Sequence, residues 1–474
     1  MIRTLILAGL VFCGPIFAQQ SADEIKAAMK SAAEFYRGKI ARNGGYVYYT
    51  SPDYSKRLGE GVAAGDQIWV QPPGTPSVGL AYLKAFQATG DKFYLDSAVE
   101  TAEALIYGQL ESGAWTNSIS FDPSSGRTAQ YRNGKGKGRN FSTLDDGISQ
   151  EAIQFLARLD KETRFQNQAV HEAAKVALDA LLNAQFPNGA FPQGWDETPA
   201  NPGGKPVDLE AGFPEYDWKT EGRIKEYWDM YTLNDDLALT VSETLLVAHK
   251  AYGEDRFANS LKQFGDFLIR AQMPEPQPGW AQQYNYDMKP IWARKFEPAA
   301  MSGRETEGVI VTLMRIAVEF RDKKYLEPIP KALQWLKRSE LPEEKFARYY
   351  ELITNQPLYM ERQGKVYTLT HDDSNLPSHY GWKTDSRLRS IGAAYREVMQ
   401  SGKLPPIEKI LPPQKPDPTV ADVLSSLDSE GRWVSTFQGE PLVGQPKFQP
   451  GEKYIDSAVF SRNLGILSDA LSAD

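Results

Sequence analysis

The sequence has a single cysteine, Cys13, which excludes an intrachain disulfide and any pair of thiolate metal ligands. Histidine is scarce as well. His171, His249, His371 and His379 lack the spacing of a transition-metal site, and the first two fall within helical patterns where packing or surface roles are expected. Positive charge is not in excess: 53 Lys and Arg face 61 Asp and Glu, a net charge of −8, which argues against nucleic acid as the partner. No apolar run is long enough to cross a membrane, because the longest, around residues 5–12, stops at Pro15.

That short run sets the first expectation. Met1 and Arg3 precede it, and Pro15, Ile16, Phe17 and Ala18 close it ahead of polar residues, the layout of a secretory signal peptide over 1–18. A secreted or periplasmic product is expected, not membrane-bound after cleavage and working as a monomer. Cleavage removes Cys13, so the remaining chain depends on its core. Aromatic content is 11% with ten tryptophans. Most such rings fill cores, yet flat indole faces also suit sugar rings.

The middle of the chain repeats itself at the level of helix pairs. Leu95, Ala98, Ala102 and Leu105 follow three-four spacing, as do Ile148, Ala152, Phe155 and Leu159, then Val170, Ala174, Ala177 and Leu181. Val241, Leu245, Ala248 and Tyr252, then Leu261, Phe264, Leu268 and Ala271, give another pair, and Val309, Leu313, Ile316 and Phe320 begin the next. Short polar turns separate partners, each carrying one aromatic plug: Phe93, Phe165, Phe257 and Tyr325. Glycine and aromatic segments such as Gly113-Ala114-Trp115 and Gly279-Trp280 follow the second helices. An all-α fold is expected, an incomplete (α/α) toroid of helical hairpins over 19–403 with a few short strands in its loops. A Pro-rich linker and C-terminal tail are expected over 404–474, and an insert over residues 196–229. Function should gather on the long loops.

Three helix starts carry acids: Thr143-Leu144-Asp145-Asp146, Thr232-Leu233-Asn234-Asp235-Asp236 and Ser302-Gly303-Arg304-Glu305. The Thr or Ser three residues before an acid predicts a capping box. In the first two a second acid is left over, and adjacent helical residues point about 100° apart, so one carboxylate can cap while the other faces the cleft. Paired acids from separate loops, with few histidines and no cysteine nearby, suit a hard cation such as calcium. Basic residues set among aromatics form a second signal, in Trp292-Ala293-Arg294-Lys295-Phe296-Glu297 and Phe346-Ala347-Arg348-Tyr349-Tyr350-Glu351, with Arg362 beyond. Both stretches alternate as extended segments do. An arginine fork there either grips a substrate carboxylate or pairs with Glu297 or Glu351.

These segments, with Ala184 to Gln193, resemble in content and order those of the pectate lyases of polysaccharide lyase family ten, which fold as an α-helical toroid. The resemblance implies a divalent cation, calcium, held by Asp145, Asp235 and Asp236. It implies Arg294 as catalytic base, and Arg348 and Arg362 as binders of uronate carboxylates. Asp145, Trp195, Trp292 and Tyr349 are expected to contact an acidic polysaccharide, cleaved by β-elimination. The chain departs from the family pattern at Asp146, where Asn is expected, at Gly194-Trp195, and in the insert. Arginine keeps its proton beyond pH 12 or so, so a basic Arg294 needs burial and other cations around it. Two other readings remain open. One is an α/α-toroid glycoside hydrolase pairing Asp146 with Asp236 or Glu305, and the other a polysaccharide-binding protein without catalysis.

Overall fold

Turn residues cut the apolar periodicity into helices of three to five turns. The computed structural model describes residues 21–196, 206–219, 226–413 and 415–472. The expected signal peptide and residues 197–205 and 220–225 of the insert lie outside them. The helices are α1 (Ala22–Phe35), α2 (Thr75–Thr89), α3 (Lys92–Tyr107), α4 (Ile148–Glu162), α5 (Gln168–Asn183), α6 (Leu237–Tyr252), α7 (Asp255–Arg270), α8 (Gly303–Phe320), α9 (Ile329–Ser339) and α10 (Leu388–Ser401). Two short turns, α11 (Ile407–Ile410) and α12 (Val420–Ser425), precede α13 (Ser457–Ser472).

Each hairpin pairs an inner helix with an outer one: α2 with α3, α4 with α5, α6 with α7, α8 with α9. The inner row then runs α2 to α4 to α6 to α8 to α10 by direct packing. The predicted faces supply these contacts, since Ile148, Ala152, Phe155 and Leu159 are buried, as are Val170, Ala174, Ala177 and Leu181. Gly90 and Gly253 end α2 and α6 at φ 69° and 68°, a left-handed stop that a glycine adopts without steric cost. Asp91 and Asn167 then cap α3 and α5 by accepting from Phe93 N at 2.9 Å and Val170 N at 3.2 Å. Among the plugs, Phe257 and Tyr325 are buried, but Phe165 is 43% exposed. It sits at φ 61° in its turn and leans on Tyr252 and His171 instead of entering the core.

The loops at the other end are tied by short antiparallel strands. Ser142–Thr143 pairs with Gly194–Trp195, and Tyr231–Thr232 with Gln283–Tyr284. A five-stranded sheet runs Val366–Thr370, Pro357–Gln363, Tyr349–Tyr350, Met301–Ser302, Trp280–Ala281. Its register sets Tyr350 opposite Met301 and Met301 opposite Ala281, so the α7–α8 and α9–α10 loops form one surface.

The segment expected as a linker and tail is built into the ring. Leu404 and Ile407 line a cavity of about 670 Å³ between α4, α6 and α8. Strand Lys453–Asp456 pairs with Tyr49–Thr50, α13 packs on α2, and Phe460 stacks on Tyr36 at 3.8 Å. A tail looks appended in the sequence because its partners lie some four hundred residues away. Among the described residues no helix is long and apolar enough to cross a membrane.

Trp115 and Trp280 occupy matching places in two repeats. Both are fully buried, and each indole donates to the carbonyl of a preceding helix, Leu105 O at 2.9 Å and Leu268 O at 2.8 Å. Trp280→Ala therefore removes a ring and orphans a carbonyl, and is expected to cost about 3–5 kcal/mol. Equilibrium denaturation with unchanged slope checks it; a loss below about 1 kcal/mol would show that the ring is not part of the cooperative core.

Candidate active site

Two of the acidic helix starts are one motif used twice. Counted from the threonine, Thr143-Leu144-Asp145-Asp146-Gly147 matches Thr232-Leu233-Asn234-Asp235-Asp236. In both, the last two residues are left-handed: Asp146 and Gly147 at φ 47° and 75°, Asp235 and Asp236 at 53° and 58°. Aspartate tolerates that region because its short polar side chain bonds locally. The backbone N–H of each leucine donates to a matching glutamine carbonyl, Leu144 to Gln193 at 2.7 Å and Leu233 to Gln282 at 2.9 Å.

This geometry overturns the expected capping boxes. Neither α4 nor α6 has a side-chain cap, because the left-handed residues turn the acids away from the first helical amides. Thr143 Oγ1 instead accepts from Asp145 N at 3.0 Å and donates to Gln193 O at 3.2 Å. In the third motif Ser302 donates directly to the buried Glu305 carboxylate, which again makes no cap.

One oxygen from each of Asp145, Asp146 and Asp235 lies within 4.8 Å of the others. Asp236, the expected third member, is absent from the cluster. It occupies the place of Gly147 in the repeat, faces the other way, and binds Arg304 Nη2 at 2.6 Å. Burial, then Asp235 and Asp146, push the Asp145 carboxyl up to about 8. Burial and Asp235 raise Asp146 to about 6. Asp236 stays below its usual range, because Arg304 outweighs its burial. Gln193 and Gln71 donate to the cluster, at 2.8 Å to Asp145 and 2.9 Å to Asp146, and the Gln193 Oε1 is buried without a partner. Three converging carboxylates and an orphaned amide oxygen are the donor set of a hard divalent cation.

Arginines flank the cluster. Arg348 is buried, with Nη2 at 3.4 Å from Asp235 and 3.7 Å from Glu305, and its guanidinium rests on Tyr380 at 4.8 Å. Its Nε has no partner among the described residues. Arg294 lies 3.9 Å from Asp235. It sits on a tight turn closed by Ala293 N to Glu297 O at 3.0 Å, not on the expected extended segment. That turn lets Arg294 clasp Glu297 with two bonds, Nε to Oε2 at 2.7 Å and Nη2 to Oε1 at 2.6 Å. The cation crowding expected around Arg294 is replaced by carboxylates. Burial lowers its pKa, but Glu297 and Asp235 more than offset this and hold it above the ordinary arginine value. Tyr380 also donates to Glu297, at 3.1 Å, fixing the pair from behind.

Beyond Arg294 opens a cleft of about 520 Å³ lined by Tyr227, Arg294, Lys295, Phe296, Arg362, Lys365 and Tyr367. Arg362 reaches it from strand Pro357–Gln363 and donates through Nε to Gly364 O at 2.8 Å. Among the described residues Lys295, Arg362 and Lys365 have no carboxylate within salt-bridge distance. The three aromatic side chains expected to meet substrate do not present their faces. Trp195 is buried and donates to Ser112 O at 3.0 Å, Trp292 is buried, and Tyr349 is sealed between Gln282 and Tyr380 at 2.8 Å each. Tyr227, Phe296 and Tyr367 line the cleft instead. Alternating aromatic and basic residues marked the right loops in the sequence, but not which rings remain open.

The cluster makes opposite demands at the two ends of the pH scale. An unfolded aspartate ionises near pH 4, the folded Asp145 near 8, so between these values the folded state carries the extra proton. In chelator, stability should therefore fall as pH rises from about 4 to about 8. A divalent cation at about 100 times its Kd should restore about 2.7 kcal/mol at pH 8. Thermal melts with and without the ion test this, with Asp235→Asn abolishing the response and Asp236→Asn retaining it. Equal responses in the two variants would dissolve the assigned cluster.

The sequence profile of the pectic acid lyase family matches residues 109–346, half of the chain and all of the cluster. No curated protein matches. Among solved structures the chain is similar to a mutant family 10 polysaccharide lyase from Cellvibrio cellulosa in complex with trigalaturonic acid, at 20% identity and TM-score 0.48, over 64% of this chain and 92% of that one. It is also similar to cellobiose 2-epimerase from Bacillus thermoamylovorans, at 12% identity and TM-score 0.49, over 96% and 99%. The matched span holds both tandem-acid motifs and the Arg294 turn, and with them the chain belongs to the pectic acid lyase family, carbon–oxygen lyases that act on polysaccharides.

Proposed function

We propose that the protein is an exported pectate lyase that cleaves polygalacturonate-type chains by β-elimination with a divalent cation, calcium, at Asp145, Asp146 and Asp235. The observation that carries this reading is the meeting, at Arg294, of the three-carboxylate cluster with a cleft lined by Lys295, Arg362 and Lys365, which have no carboxylate partner among the described residues. A cation bound by the carboxylates supplies positive charge for a substrate carboxylate. Elimination removes the proton on the carbon beside the uronate carboxylate and expels the glycosidic oxygen, so negative charge grows on that carboxylate. One cation about 4 Å away stabilises it by up to about 4 kcal/mol at an effective dielectric of about 20. Arg362 faces the cleft and is placed to hold a substrate carboxylate, whereas Arg348 acts from beneath by fixing Asp235 and Glu305. Export is consistent with α1 starting at Ala22, so cleavage after Ala18 takes nothing from the described fold.

Arg294 is the proposed base. In the resting structure Glu297 keeps it protonated, so proton transfer requires that pair to part. The hydrolase alternative is weakened by the same geometry. Glu305 is sealed and bonded to Ser302, and Asp236 is held by Arg304, so neither faces Asp146 across an open cleft.

Digestion of polygalacturonate should yield the ultraviolet absorbance of a conjugated double bond, and chelator should remove it. Reducing ends released without that absorbance would make the enzyme a hydrolase. Arg294→Ala should lower kcat by about 10²–10⁴. Glu297→Gln decides the role of Arg294. A base must lose its proton to act, and without Glu297 its pKa falls, so the rising limb of the kcat profile should move to lower pH. A limb that stays in place would leave Arg294 as a charge stabiliser only.

A further inference from the structure

An N-terminal loop carries a fourth acid to the edge of the three-carboxylate cluster. Gln71 Nε2 donates to Asp146 Oδ2 at 2.9 Å and to Glu60 Oε1 at 3.1 Å, so one amide group holds two carboxylates from different segments of the chain. Glu60 and Gln71 both lie outside the matched span 109–346.

Glu60 is exposed, yet its turn is fixed on two sides. A Cβ on Gly59 would stand 2.1 Å from the buried Trp69 ring, so a turn lying this close to the indole requires glycine there. On the other side passes Gly444, at φ 70°, where a Cβ would meet Gly59 O at 2.8 Å and Glu60 Cα at 3.1 Å. Gly59 N closes the turn on Gly61 O at 2.9 Å. The backbone that carries Glu60 is therefore held against the cluster.

Tyr48 points to the same place independently. It is fully buried, and its hydroxyl makes no hydrogen bond among the described residues. Burial, then the charges of Glu60 and Asp146, hold that hydroxyl above the ordinary tyrosine range, so it lies against both acids. A neutral oxygen thus faces two carboxylates and bonds neither.

We propose that Glu60 and Asp146 hold a second divalent cation, calcium, with the Gln71 carbonyl and the Tyr48 hydroxyl as neutral oxygens and Asp146 shared with the first ion. The first ion is that of the cation-assisted reading above, on which this second one rests. Oxygens about 2.4 Å from a calcium ion and at right angles are about 3.4 Å apart. Both carboxylates already stand near that spacing from the Gln71 amide, at 2.9 and 3.1 Å. A half-turn of the amide puts its carbonyl oxygen where the donor now stands. With two carboxylates against three this is the weaker site, and it fills only at calcium well above that which saturates the first. Once filled, it clamps the N-terminal loop to the entry of α4.

The test is calcium calorimetry on the full-length protein after treatment with chelator and desalting. The wild type should bind two equivalents, one tight and one weaker. Glu60→Gln should lose the weaker equivalent, or bind it about tenfold less tightly, and keep the tight one, whereas Asp235→Asn should do the reverse. Glu60 is exposed, so its variant should melt with the wild type in chelator. At calcium sufficient for the weaker phase, amide exchange at residues 59–62 should slow in the wild type and not in Glu60→Gln. A single equivalent in the wild type, or two in Glu60→Gln at unchanged affinity, overturns the second site. Two equivalents that depend on Glu60 and Asp235, without conjugated product from polygalacturonate, would instead keep the site and refute the elimination.

Discussion

Mutual repulsion of three carboxylates is the constraint around which this end of the molecule is arranged. Asp145, Asp146 and Asp235 approach within 4.8 Å because backbone geometry, not side-chain attraction, places them. Consecutive left-handed residues at the entries to α4 and α6 aim them inward, and hydrogen bonds from Leu144 and Leu233 to the next loops fix those entries. The repeat therefore does for the site what no single loop could. Two copies of one strained entry, on adjacent inner helices, face each other.

The surrounding cations divide into two groups with different work. Arg348 is buried and Arg304 is part-buried, and they are matched by Asp235, Glu305 and Asp236. Buried pairs of this kind add little net stability but are costly to break, so they hold the acids in place. Lys295, Arg362 and Lys365 are exposed and have no carboxylate partner among the described residues. Arg294 lies at the boundary, shared between Glu297 and the Asp235 side of the cluster. A substrate carboxylate entering there competes with Glu297 for the same fork, so binding and release of that pair are linked by geometry.

What the sequence made legible follows from the range over which each signal acts. The buried faces of α4 through α8 were readable because three-four spacing is a property of neighbouring residues. The place of α13 was not, since its partner α2 lies at the other end of the chain. The loops carrying the acids and arginines could be found from their residue types. Which acid turned inward could not be read from a capping rule, because positive φ at Asp146, Asp235 and Asp236 defeats helix capping. Aligning the two motifs from their threonines would have matched Asp236 with Gly147 and set it aside. Alternation of polar and aromatic residues suggested a strand at Arg294, where the Glu297 clasp makes a turn instead. Nothing local distinguishes Trp195, Trp292 and Tyr349, which are buried, from Tyr227, Phe296 and Tyr367, which line the cleft.

The acid cluster also bears on why the last segment is woven into the ring. Like charges held together without a cation tend to push α4 and α6 apart at their N-terminal ends, while the inner row is held only by neighbour-to-neighbour packing. Leu404 and Ile407 line the cavity among α4, α6 and α8 and pack against the core, and α13 packs on α2, the inner helix next to α4. Apolar contact at these places opposes the splaying that carboxylate repulsion favours, and it does so without adding charge near the cleft. A separate tail could not oppose it. The same residues that read as a proline-rich spacer therefore help keep the two acidic entries facing each other, which is the condition for any cation to be shared between them.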